Sequence, residues 1–155
     1  MSTTAGMAGA ERRQQSQGFL YLDTSALVKL LVRESESEAI EVELLCWSKL
    51  ATSLVSNVEL PRAVSRAREE RPNSVVDGSL VLRGILASTT TIALDERIVG
   101  KARDVKPTSV GALDAIHVAS ALSLGPDLTA VATYDKRMQE ALALVNVEVL
   151  APGPT

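Results

Sequence analysis

Five short apolar runs, the last four rich in β-branched residues, separated by helical stretches, constrain the fold of this chain more than any other feature. The runs are Phe19–Leu22, Ala51–Val55, Thr89–Leu94, Thr129–Thr133 and Val145–Leu150, each four to six residues long. Between them, apolar residues recur at helical spacing over Thr24–Arg33, Ser37–Leu50, Asn57–Glu70, Val75–Ala87, Asp95–Val105, Gly111–Leu124 and Lys136–Leu144. Arg71-Pro72-Asn73 and Lys106-Pro107-Thr108 stop two of these helices. Strands that alternate with helices and are apolar along most of their length imply a mostly parallel sheet covered on both faces. The expected fold is therefore α/β, a three-layer α/β/α domain with a mostly parallel five-stranded sheet, spanning residues 18–155. Residues 1–17 lack an apolar stretch and are expected to form a disordered tail on a cytoplasmic protein.

Composition removes several function classes. One cysteine, Cys46, excludes internal disulfides and multi-cysteine zinc sites, and one histidine, His117, excludes poly-histidine centres. Any metal must then be a hard one held by carboxylates. No Walker A or G-x-G-x-x-G segment is present, and no apolar stretch reaches membrane-spanning length. Phe19, Tyr21, Trp47 and Tyr134 are the only aromatics, too few for an extended base-stacking platform. The net charge of −3 gives no global basic field.

Ligands of open parallel sheets bind beyond the carboxyl ends of the strands. Asp23 directly follows the first run, Glu59 lies in the first turn of the helix after the second, and Asp135 follows the fourth. Asp114 interrupts the apolar segment Ala112–Ile116 early in its own helix. Taken singly, each has an ordinary explanation. Asp23 and Asp135 suit helix N-caps, Ser56-Asn57-Val58-Glu59 fits a capping box, and Asp114 favours a helix N-terminus. Together they are costly, because two carboxylates ~4 Å apart repel by ~4 kcal/mol at an effective dielectric of 20. A cation offsets that repulsion, and Mg²⁺ is the natural one. Asp95 also follows a strand, and spacing alone does not remove it from this group.

The segments Tyr21–Lys29 (Y-L-D-T-S-A-L-V-K), Glu59 with Arg62-Ala63, Leu113–Ala121 (L-D-A-I-H-V-A-S-A) and Thr133–Met138 (T-Y-D-K-R-M) resemble the PIN-domain family, especially the VapC toxins of bacterial toxin–antitoxin pairs. The match runs in the family's order from about Phe19 to Gly153. The resemblance implies a Mg²⁺-dependent endoribonuclease, with Mn²⁺ as a substitute, that cleaves structured RNA such as tRNA or rRNA. It further implies a homodimer neutralised by a cognate antitoxin in a heterotetramer or larger assembly, away from membranes. The family's metal-site acids map onto Asp23, Glu59, Asp114 and Asp135, with Asp23 and Asp114 as direct ligands. It also sets Asp95 aside. Many relatives carry Leu-Arg where this chain has Val110-Gly111, so its handling of RNA is expected to differ.

Metal-assisted phosphodiester hydrolysis needs no cysteine or histidine nucleophile. Thr24 and Ser25 are placed to bond a ligand carboxylate or a phosphate from a helix N-terminus. Arg62 and Arg66, on the helical face of Glu59, and Lys136 and Arg137, directly after Asp135, are candidates for the RNA backbone, as are Lys29 and Arg33. His117 is expected to be a structural histidine, and Cys46 and Trp47 to pack in the core or against a partner. A non-catalytic RNA- or partner-binding scaffold and a DNA-directed nuclease are the alternatives. A receiver-type phosphoacceptor and an Asp-x-Asp phosphatase fit poorly, since Asp23 is followed by Thr24-Ser25.

Overall fold

The computed structural model describes residues 17–76 and 80–154. Five strands, β1 (Phe19–Leu22), β2 (Leu50–Ser53), β3 (Thr89–Ile92), β4 (Leu128–Ala132) and β5 (Glu148–Leu150), form one sheet in the order β3-β2-β1-β4-β5. Every pairing is parallel. Seven α-helices are described: α1 (Thr24–Leu31), α2 (Ser37–Leu44), α3 (Ser56–Glu70), α4 (Leu80–Ser88), α5 (Glu96–Arg103), α6 (Ala112–Leu122) and α7 (Lys136–Leu144).

The strand period of two divides the core. Leu20 and Leu22 of β1 point to one face, where they pack with Leu27 and Leu30 of α1, Ile40 and Leu44 of α2, and Ile85 of α4. Tyr21 points to the other, with Val118 and Ala121 of α6 and Met138 and Leu142 of α7. Trp47 joins the first cluster, and Cys46 packs partly buried against it. The result is the three-layer α/β/α arrangement expected.

Two departures have physical causes. β3 (Thr-Thr-Thr-Ile) is an edge strand whose middle threonines are exposed, so the sheet is not covered along its whole width. The second helix stops at Leu44 rather than running to Leu50, because Leu50 is needed in β2 opposite Leu20. The expected tail at residues 1–17 lies outside the described residues except for Gln17. Among the described residues no helix is long and apolar enough to cross a membrane.

The strand order reverses direction between β1 and β4. Strands β2 and β3 lie to one side of β1, while β4 and β5 lie to the other. Such a switch point opens a crevice at the carboxyl ends of the two strands. Asp23 leaves β1 at that position, and Thr133 and Asp135 leave β4 beside it.

Candidate functional site

Asp23 is both an N-cap and a buried carboxylate. Its Oδ1 accepts from Ala26 N at 3.0 Å, in the usual capping geometry, and from Ser25 Oγ at 2.6 Å. Its Oδ2 accepts from Thr133 Oγ1 at 2.5 Å. The residue is only 2% exposed. Burial raises its pKa above the ordinary carboxylate value, against the opposing pull of the Ser25, Thr133 and Ala26 hydrogen bonds.

Thr133 stitches β4 to this acid, since its hydroxyl also accepts from Asp135 N at 3.1 Å. Ser25 adds a second stitch by accepting from Tyr134 N at 2.9 Å. Asp135 caps α7 through Met138 N at 2.9 Å. Thr133→Val keeps the shape but removes the donor to Asp23. Losing a hydrogen bond to a charged group is expected to cost ~1.5–3 kcal/mol. Thermal unfolding in EDTA checks this, and the Asp23 pKa should rise further.

Glu59 is not held as a capping box. The N-cap of α3 is Val55 with no side-chain bond, and Ser56 Oγ instead meets Thr52 Oγ1 at 2.9 Å and Thr24 Oγ1 at 3.2 Å. The Glu59 carboxylate turns toward the crevice, where Oε1 accepts from Thr24 Oγ1 at 2.8 Å and lies 2.7 Å from His117 Nε2. Burial works to raise its pKa, but the bonds from His117 and Thr24 bring it below the ordinary value. Thr24 therefore bonds a carboxylate, as its position after Asp23 suggests, and Ser25 does the same for Asp23.

Asp114 enters from α6, in the first turn, half-buried and with no capping bond of its own to explain it. Its pKa is raised, first by burial, then by the charges of Asp135 and Asp23, with Glu59 contributing and His117 opposing. The charges of Asp23, Glu59 and Asp135 thus bear on Asp114, although the four acids sit just after β1, on α3, just after β4 and on α6. Asp95 is not among them. It caps α5 through Ile98 N at 2.9 Å, pairs with Arg97 and stands exposed at the end of the edge strand.

The basic residues divide. Lys29 is committed to Glu34 and to Glu36 at 3.2 Å, with its ammonium 5.0 Å from the Tyr134 ring centroid, and Arg33 pairs with Glu41 at 2.7 Å. Lys29 is thus held in part-buried ion pairs and Arg33 in an exposed one. Arg62 and Arg66 stand exposed on α3 beside a shallow depression that they share with Pro61, Ser65 and Glu69. Lys136 and Arg137 are exposed at the N-terminus of α7.

The donor set suits a hard divalent cation. It offers only oxygens, and their mutual repulsion on Asp114 is the kind a cation relieves. Among the described residues no three His, Cys, Asp or Glu side chains converge as a ready-made cage. Mg²⁺ does not require one, since it keeps several waters and binds through one or two carboxylates.

Sequence reasoning misses Tyr21, Thr133, Thr52 and Ser56 as parts of this network. Only Thr133 carries a signal, as the residue that ends β4 two positions before Asp135.

A PIN-domain family profile matches residues 20–143. The chain belongs to the PIN-domain family. Among its relatives are Ribonuclease VapC46 of Mycobacterium tuberculosis, 35% identical over 134 residues (86% of this chain, 98% of that protein), and Ribonuclease VapC47 of the same species, 34% identical over 142 residues (86% and 97%). Ribonuclease VapC35, also from M. tuberculosis, is 36% identical over 138 residues, with coverage of 86% and 97%. This PIN domain also shares its fold with a chain of a toxin–antitoxin complex from Klebsiella pneumoniae, at a TM-score of 0.56 and 18% identity, covering 88% of this chain and 99% of that one.

Proposed function

We propose that this PIN domain, taken as residues 18–155, is a VapC-type endoribonuclease toxin dependent on Mg²⁺, with Mn²⁺ able to substitute. What supports the reading is that the charges of Asp23, Glu59 and Asp135, from separate parts of the chain, all bear on Asp114, in a chain related to three VapC ribonucleases. Asp23 and Asp114 would hold the cation directly, with Glu59 and Asp135 completing the site. Such a cation, when bound, supplies a water of lowered pKa and neutralises the charge that develops on the phosphate.

The chain's own groups do the rest. Ser25 and Thr133 fix the Asp23 carboxylate in one rotamer, and Thr24 and His117 fix Glu59. Glu59 or Asp135 orients the attacking water. The exposed Arg62, Arg66, Lys136 and Arg137 draw the RNA backbone toward the crevice by charge. An Arg62→Ala/Arg66→Ala double variant is expected to raise the KM for RNA with kcat little changed. It should also flatten the plot of log affinity against log salt by about 0.7 for each phosphate of single-stranded RNA that is no longer neutralised. Cleavage kinetics over a salt series check both.

The VapC relationship and the K. pneumoniae toxin–antitoxin complex support an antitoxin as partner. A homodimer, and a heterotetramer or larger assembly with the antitoxin, completes the reading. The surface proposed for the dimer is the helical stretch from Thr24 to Leu50, where Val42 and Leu45 stand exposed. Structured RNA, tRNA or rRNA, is the proposed substrate, in the cytoplasm. Incubating the purified chain with small RNA in Mg²⁺ and in EDTA tests the activity.

A further inference from the structure

We infer that His117 is a positioning residue, oriented by Tyr21, that holds the Glu59 carboxylate in place for the metal site proposed above, on which this inference rests. His117 is 1% exposed, yet both ring nitrogens have partners that come from other elements. Nε2 lies 2.7 Å from Glu59 Oε1 on α3, and Nδ1 lies 2.8 Å from the Tyr21 hydroxyl on β1.

The chemistry of the partners fixes a proton on Nε2. An ionised carboxylate only accepts, so the proton on Nε2 donates to Glu59. In the neutral ring Nδ1 is an acceptor, and the Tyr21 hydroxyl donates to it. Tyr21 is fully buried in the central strand and packs edge-on against the imidazole, with centroids 6.0 Å apart and planes at 74°.

The arrangement does more than satisfy a core histidine. His117 lies one helical turn after Asp114 on α6, so its bond to Glu59 on α3 ties together the helices that carry two of the candidate acids. Thr24 donates to the same Oε1, and the carboxylate is pinned through one oxygen. Partners of this kind around a metal-binding carboxylate set its orientation.

His117 is the only histidine in the chain, so its ring nitrogens give an unambiguous ¹⁵N NMR signature. The expected spectrum of the wild type shows a proton on Nε2. Mn²⁺ titration of the full chain is the second readout. His117→Leu is expected to weaken Mn²⁺ binding and lower kcat by about 10- to 100-fold, with the KM for RNA unchanged. His117→Gln, whose amide reaches the Nε2 position, is expected to recover most of both. Tyr21→Phe, which loses one oxygen and keeps the packing, is expected to fall between.

A ring protonated on Nδ1 with bare Nε2 overturns the inference, as does a His117→Leu chain that binds Mn²⁺ like the wild type. If His117→Leu does not fold, His117→Gln and Tyr21→Phe decide: wild-type Mn²⁺ affinity in Tyr21→Phe, or a loss in His117→Gln as deep as removing Glu59 itself, overturns it. A wild-type chain that takes up no Mn²⁺ overturns the metal reading instead, and the ring spectrum still decides whether His117 holds Glu59.

Discussion

Replacing Asp23 with asparagine is expected to abolish RNA cleavage while making the metal-free protein more stable. The loss of activity follows from removing a proposed direct ligand. A bound metal supplies several kcal/mol of transition-state stabilisation, and at 1.36 kcal/mol per decade that is on the order of a 10³-fold fall. The gain in stability follows from burial. Asparagine still caps α1 through Ala26 N, and the Ser25 and Thr133 hydroxyls can rotate to serve an amide, while the buried charge at this position is gone.

The pH dependence gives the sign. Asp23 has a folded-state pKa above its ordinary 3.8, so the folded chain holds this proton more tightly than the unfolded one does. Its contribution to stability is present below that ordinary value and is lost as pH rises through the raised one. In EDTA the variant should therefore gain on the wild type as pH increases, and then level off. Each kcal/mol gained moves Tm by about 2–4 °C for a chain of this size. Saturating Mg²⁺ should close the gap by stabilising only the wild type. Equal stability at all pH values in EDTA would mean that Asp23 is not under strain from burial.

The second large effect concerns the scaffold. Leu22 is fully buried in the first core cluster and is the residue immediately before Asp23. Leu22→Ala is expected to cost ~2–5 kcal/mol, the range for a buried leucine truncated in a core that only partly collapses. Leu144→Ala, at a site 63% exposed, should stay within about 0.5 kcal/mol of the wild type. Urea denaturation of the two variants separates them, and an equal cost would contradict the assigned core.

The readable part of this chain is the part governed by local pattern. Strand runs such as Phe19–Leu22 are apolar over their whole length and stop at an acid, so local pattern alone locates both the strand and Asp23 at its carboxyl end. Lys136–Leu144 likewise matches its helix at both ends. β3 is legible as a strand but not in its environment, because three consecutive threonines suit a strand equally well at an edge or in the interior. Only the sheet order reveals which.

The site is legible as a set of residues and illegible as a network. Ser56-x-x-Glu59 has the form of a capping box, and nothing local reveals that Thr24 and His117, from other elements, claim the carboxylate instead. The Tyr21–His117 bond joins residues 96 apart in sequence, and only the sheet brings them together. The ion pairs of Lys29 are hidden from the sequence for a related reason. Its partners Glu34 and Glu36 are not at helical spacing and reach it only because α1 ends at Leu31 and the chain turns back.

The central claim is that four acids at the switch point make a metal-dependent ribonuclease. The most direct measurement is the cleavage of small RNA by the purified full chain in Mg²⁺, with EDTA and an Asp23→Asn/Asp114→Asn chain alongside. Discrete fragments that appear only with Mg²⁺ and the wild-type acids are the expected result. Fragments of equal yield in EDTA, or from the doubly substituted chain, would contradict it.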